Sequence, residues 1–141
     1  MKVAIVGGGA SGVACAIRLK EIDKKLDVTI FERENKILSK VVRSGNGRAN
    51  FGNTEIEEYY YTNQEIILSM QEYLQKEGLA DSNQFMESHG LLTYTDSEGR
   101  LYPFSNDSRS LTSLLEYLLF LQKVKIKNNK KIDTILMDGK K

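Results

Sequence analysis

The sequence predicts an α/β fold: half of a doubly wound sheet, its parallel strands in the order 3-2-1, carrying a helical and β-hairpin insertion. Three observations predict it. A β-branched apolar run, "KVAIV" (residues 2–6), enters a glycine-rich turn that opens a helix, and "DVTIFE" (27–32) follows as a second strand. Strand, glycine turn, helix and strand in about thirty residues make a βαβ unit, whose strands run parallel through a right-handed crossover. Much later, "SLTSLLEYLLFLQ" (110–122) and "VKIK" (124–127) repeat helix then strand, supplying a third strand.

Each element has its own signal. "KVAIV" shows no polar alternation, the pattern of a strand covered on both faces. Ala10, Val13, Ala14 and Ile17 then recur at helical spacing, and "RLKEIDKK" closes the helix on charge. From Ile37 to Asn53 periodicity gives way to a loop. Thr62 and Glu65 have capping-box spacing ahead of a stripe of Ile66, Ile67, Met70, Tyr73 and Leu74, which ends near Gly78. A shorter helix is expected over Asp81–Ser88. "LLTYTDSEGRLYPF" predicts a hairpin turning at "DSEG", with Pro103 just past its second strand. "KIDTILMDGKK" predicts one more strand and a turn at Asp138-Gly139. The chain thus reads as one domain over 1–141, with the helix and hairpin insertion at 54–109.

The first turn, "GGGASG", places Gly7, Gly9 and Gly12 in GxGxxG spacing. Gly7 permits the tight exit from the strand, Gly9 lets backbone approach a pyrophosphate, and Gly12 lets the helix pack close on the sheet. The helix N-terminus adds unpaired amides and a favourable dipole. Glu32 ends the second strand twenty positions after Gly12, where a carboxylate accepts hydrogen bonds from ribose hydroxyls. These features together define a Rossmann-like dinucleotide site. The competing reading is a ligand-free glycine turn with Glu32 a solvated strand end. An acid at this place disfavours a 2′-phosphate, so NADP fits less well than FAD or NAD, and spacing does not separate those two.

The loop "KVVRSGNGRANFGN" (40–53) is dense in donors: Lys40, Arg43, Ser44, Asn46, Arg48, Asn50 and the amides freed by Gly45 and Gly47. Such a loop either cradles phosphate, ribitol hydroxyls or a flavin edge, or is a solvated loop whose glycines only make turns.

Three segments in order, "GGGASG", this loop and "EGRLYPFSNDSRS" (98–110), resemble the BaiN/YhiN-type family of bacterial NAD(P)/FAD-dependent oxidoreductases. Its members carry a GGGAAG start, a GRKILATGNGRCN loop and a GRVYPFSNQASS-like segment. The resemblance implies the N-terminal portion of a Rossmann-like flavoprotein with noncovalent FAD, and NAD(P)H as a possible electron donor. Carried over by position, Gly7, Gly9 and Gly12 hold the FAD pyrophosphate with Ser11 near it. Glu32 takes the adenosine ribose, Arg33 flanks the adenine, and Lys40, Asn46, Gly47, Arg48 and Asn50 line the pyrophosphate-to-flavin side. Backbone near Ile132 reaches the adenine. Arg48 and Lys40 are candidates to stabilise negative charge on a reduced flavin, with a surface cation as the alternative for each. Leu38-Ser39 stand where the family has Gly-Arg, and Ala49 replaces the cysteine of GRCN, which argues against thiol redox chemistry there. Family members run to roughly three times this length, as multidomain enzymes do. Hence a truncated or degenerate nucleotide-binding module without activity, or an NAD-binding module, competes with the oxidoreductase reading.

Composition narrows the classes further. Twenty basic residues against nineteen acidic leave a net charge of +1, which gives no support to nucleic-acid or anionic-membrane binding. No segment has the length and apolarity of a membrane span, and Cys15 is the single cysteine, so a reducing cytoplasm is the expected compartment. Cys15 reads as packing volume within the first helix, and His89, beside Gly90, as structural or exposed. Tyr59, Tyr60 and Tyr61 read as a partly buried connector. No catalytic acid or base stands out, no Cys/His cluster suggests a metal, and the substrate is not legible. The last helix is apolar on nearly every side, and the 3-2-1 order leaves the apolar first strand on an open edge. Both features predict cover by further sequence, by another copy of the chain, or by a completing chain.

Overall fold

In the computed structural model, residues 1–54, 65, 68, 69 and 82–136 are described. The chain forms two compact units, Met1–Arg43 with Thr112–Lys141, and Ser44–Leu111.

The first unit is built on a parallel three-stranded sheet. Strand β1 (Lys2–Val6) pairs with β2 (Asp27–Phe31) from Lys2↔Asp27 to Val6↔Phe31. On the far side of β2, β6 (Lys125–Lys127) aligns from Thr29↔Lys125 to Phe31↔Lys127. The order β1-β2-β6 is the 3-2-1 arrangement that the sequence predicts. It is a Rossmann-like α/β sheet.

Helix α1 (Ala10–Ile22) lies on the face bearing Ile5, and buries Val13, Ala16, Ile17 and Lys20 at the spacing of one helical stripe. Ala10, expected in that stripe, is exposed, because it lies in the turn that opens toward solvent. Below the helix, Val28 and Ile30 of β2 are 1% and 0% exposed, so the middle strand is the sheet's core. Burying side chains of this size stabilises the fold by about 1.5–3 kcal/mol each. Lys20 is buried because its ammonium closes the helix: Nζ donates to the carbonyls of Lys24 at 2.5 Å and Leu26 at 2.9 Å.

Several expectations are corrected. β1 is not covered on both faces: Ala4 and Val6 are exposed, because α1 packs only on the side of Ile5 and no described residue covers the other. Cys15 is exposed rather than packed, since it projects from the side of α1 opposite the buried stripe. The segment 131–136 forms no strand. Ile135 and Leu136 are 75% and 88% exposed, so its apolar residues have no surface to bury against. The turn expected at Asp138-Gly139 lies outside the described residues, as do the tyrosines at 59–61 and all but Glu65 of the capping box and stripe expected over 62–78. The long loop expected from Ile37 contains a short helix, α2 (Ser39–Arg43), and a 3₁₀ turn over Ser44–Gly47.

The second unit holds an antiparallel sheet in which β5 (Arg100–Pro103) runs between β3 (Gly52–Asn53) and β4 (Thr93–Thr95). Pro103 is the last residue of β5, opposite Thr93, rather than just past it. That position is tolerated because a strand end needs no further donor. Asp96 makes the hairpin turn at "DSEG": its Oδ1 accepts the amides of Glu98 and Arg100, each at 3.0 Å. Helix α3 (Ser82–Ser88) precedes the hairpin. His89 closes that helix, its Nδ1 2.7 Å from the Phe85 carbonyl, and its ring packs on Phe85. Its role here is structural.

Helix α4 (Ser108–Leu121) contains the boundary between the units. Asp107 caps its start by accepting the Arg109 amide at 2.8 Å. Leu111, Leu115, Leu118 and Leu119 are buried, while Tyr117, Phe120 and Leu121 are 57%, 76% and 53% exposed, so an apolar side of this helix faces outward. Among the described residues, no helix is long and apolar enough to cross a membrane.

Candidate functional site: a nucleotide cleft at the glycine turn

Parallel strands bring the residues that follow them to one end of the sheet, where open α/β folds bind ligands. Here the residues after β1, β2 and β6 (Gly7–Gly9, Glu32–Asn35 and Lys130–Ile132) border one cleft of about 580 Å³, with Leu38–Lys40 and Arg43 on another wall. That volume is the size of ordinary small-molecule sites.

The glycine turn is built from the chain outward. Gly7 has φ +102°, a conformation that a side chain strains, and its amide donates to the Phe31 carbonyl at 2.8 Å. A Cβ on Gly12 would overlap the Gly7 carbonyl oxygen, so the close approach of α1 to the turn depends on glycine there. A Cβ on Gly9 would meet no described atom within 4 Å; it would stand in the open space of the cleft. Gly9 is also the N-cap of α1, with no side-chain cap, and the first helical bond runs from the Val13 amide to the Gly9 carbonyl. The preceding helical amides therefore remain available to an anion.

Glu32 is not a solvated strand end. It is 9% exposed; Oε2 accepts the Gly8 amide at 2.6 Å, and Oε1 accepts the Glu34 amide at 2.9 Å. The Glu34 amide first, then those of Gly8 and Arg33, hold its carboxyl below the usual carboxylate range, against the desolvation that opposes them. A carboxylate has about four lone-pair sites, so these amides leave capacity to accept a ribose hydroxyl.

Of the residues singled out from sequence, Gly7, Gly9, Glu32, Arg33, Lys40 and Ile132 border this cleft. Gly12 lies behind the turn at the helix–sheet contact, and Ser11 is exposed on the first turn of α1. Asn46, Gly47, Arg48 and Asn50 belong to the other unit. There the "GNGR" and "RLYP" motifs meet: the Arg48 guanidinium lies 4.5 Å from the centre of the Tyr102 ring, and its Nε donates to the Gly45 carbonyl at 3.3 Å. Gly45 and Asn46 both have φ +55°, and a Cβ on Gly45 would press on the Asn50 amide, so the loop's glycine is a geometric requirement. Asn46 and Asn50 are exposed, and Ala49 is fully buried.

Sequence reasoning missed three contributors, Gly8, Lys130 and Lys131. Gly8 is needed because a Cβ there would overlap Ile37 Cγ2. Arg43, one of the loop's donors, borders the cleft from α2, a helix that was not expected there. Lys130 and Lys131 border it because the segment after β6 is tied to the end of β2, with the Lys130 amide donating to the Glu32 carbonyl at 2.8 Å. The parallel sheet order would have found them. Among the described residues, no cluster of His, Cys, Asp or Glu could hold a metal.

A parallel sheet, a glycine turn that opens a helix, and an acid at the end of the second strand define a Rossmann-like nucleotide-binding domain. Residues 1–141 match the family described as "HI0933-like protein Rossmann domain", and the chain belongs to that family. It is 32% identical over 139 residues to a 3-dehydro-bile acid delta(4,6)-reductase of Clostridium scindens, covering 99% of this chain and 34% of that protein. A ribosomal RNA dihydrouridine synthase of Haemophilus influenzae is 40% identical over 60 residues, covering 43% of this chain and 14% of the synthase. THI4 of Thermovibrio ammonificans shares the fold, with a TM-score of 0.52 at 19% identity over 91% of this chain and 38% of THI4. The chain thus spans 34% of the reductase's length and 38% of that of THI4.

Proposed function

We propose that this chain is the FAD-binding portion of a flavin-dependent oxidoreductase, holding the cofactor noncovalently at the glycine turn. One observation carries the reading: the place where a Gly9 Cβ would stand is open cleft, bordered by the clasped Glu32 and by exposed cations. A diphosphate fits that donor set. In this reading the α1 amides and Gly9 backbone take phosphate, Glu32 accepts from the adenosine ribose, and Arg33 and the Ile132 backbone flank the adenine. When bound, FAD supplies hydride transfer, with NAD(P)H as a possible donor. Lys40 sets positive charge on the cleft wall, and the half-buried Arg48 is held on Tyr102 in the other unit. The reductase relative accords with redox chemistry.

A second reading is a nucleotide-binding module without catalysis of its own, or one that takes NAD, since a glycine turn followed by a ribose acid serves either dinucleotide. Thermal shifts with FAD and with NAD separate these, because a ligand selective for the native state raises the melting point. FAD is expected to give the larger shift. A larger shift with NAD, or none with either, would overturn the flavin reading.

A further inference from the structure

We propose that Arg43 binds phosphate in this cleft, forming with Lys40 a two-cation clamp on the diphosphate; the inference rests on the nucleotide reading above. Helix α2 is fixed to the glycine turn itself. The Leu38 amide donates to the Gly8 carbonyl at 2.8 Å, and the Leu38 carbonyl accepts the amides of Val41 at 2.9 Å and Val42 at 3.2 Å. Leu38 is 1% exposed and takes φ +59°, an unfavourable conformation for a branched side chain, so its packing and hydrogen bonds hold the start of α2 in place. Lys40 and Arg43, three positions apart, then fall on one side of the helix, and both are exposed and border the cleft.

The charge around the cleft is unbalanced, leaving cations there without a carboxylate partner. Glu32 is occupied by backbone amides, Arg33 pairs with Glu34 at 3.1 Å, and Lys131 pairs with Asp133 at 2.6 Å. Among the described residues, Lys40, Arg43 and Lys130 form no ion pair, and of these Lys40 and Arg43 share one side of a single helix. Two like charges one turn apart repel, and a diphosphate between them removes that repulsion. The guanidinium fork of Arg43 suits two phosphate oxygens, which a lysine alone does not span.

Titration calorimetry of the whole chain with ADP and with adenosine tests the assignment, comparing wild type, Arg43→Gln and Arg43→Glu. Arg43→Gln is expected to weaken ADP by about 10-fold and leave adenosine unchanged, and Arg43→Glu to weaken ADP further. Unchanged ADP binding in Arg43→Gln, equal losses for ADP and adenosine, or equal losses in the two variants would overturn the clamp alone. A wild-type chain that binds no ADP would overturn the nucleotide reading, and the clamp with it.

Discussion

The Glu32 carboxylate grips the Gly8 amide at 2.6 Å, joining the end of the second strand to the turn that leaves the first. One acid therefore has two tasks: it fixes the shape of the glycine turn and presents its remaining lone pairs to the cleft. Replacing it with alanine leaves the Gly8 and Glu34 amides without their acceptor. Glu32→Ala is expected to lower unfolding free energy by about 1–3 kcal/mol in urea titration. An unchanged midpoint would show that the clasp contributes nothing to stability.

The same clasp sets an acid limit. The folded-state pKa of Glu32 lies below its ordinary value of 4.5, so its stabilising contribution is complete above that value and is lost as pH falls through the folded pKa. Asp27 is depressed as well, through its hydrogen bond with Lys125, so acid sensitivity is shared. Comparison with Glu32→Gln isolates the one group. The stability difference between wild type and Glu32→Gln should be constant from pH 7 to about 5 and shrink below that. A difference that grows on acidification contradicts the assignment.

Gly12 and Gly9 separate stability from binding. In Gly12→Ala, the new methyl meets the Gly7 carbonyl, a backbone atom that cannot swing aside, and a loss of about 1–3 kcal/mol is expected. Gly9→Ala meets nothing in the protein, at an ordinary φ of −76°, so its stability should stay within about 0.5 kcal/mol of wild type. The pair is read by chemical denaturation, and the reverse ranking would refute the packing account of the turn.

The fully buried Leu119 anchors the last helix in the first unit. Leu119→Ala should lower stability by about 2–5 kcal/mol, whereas Phe120→Ala, at a position 76% exposed, should change it far less. Denaturation midpoints decide between this orientation of α4 and one turned by a single residue.

Much of this was legible in the sequence because it depends on local spacing. "KVAIVGGGASG" fixes a strand, a turn and a helix within one stretch of chain, and Glu32 follows at a distance set by the length of α1. Strand order followed from the strands at 2, 27 and 124. Side-chain environment was less legible. Glu32 reads as a ribose acid, yet its grip on Gly8 depends on where the second strand ends relative to the first turn. Cys15 reads as packing because small residues crowd the first helix, but the buried stripe runs through Val13, Ala16, Ile17 and Lys20. Helix α2 escaped notice because Leu38, the residue just before it, takes a backbone conformation that no apolar pattern announces. The last segment, "KIDTIL", has strand-like alternation, but alternation makes a strand only where another strand offers hydrogen bonds.

In the function proposed above, a diphosphate of FAD lies against the open backbone of Gly9. Titrating FAD with the chain and following flavin fluorescence tests it most directly, with Gly9→Ala as the comparison. Saturable one-to-one binding by wild type, weakened in a Gly9→Ala variant of equal stability, is the predicted result. Equal affinity in the two proteins, or no saturable change with wild type, would contradict it.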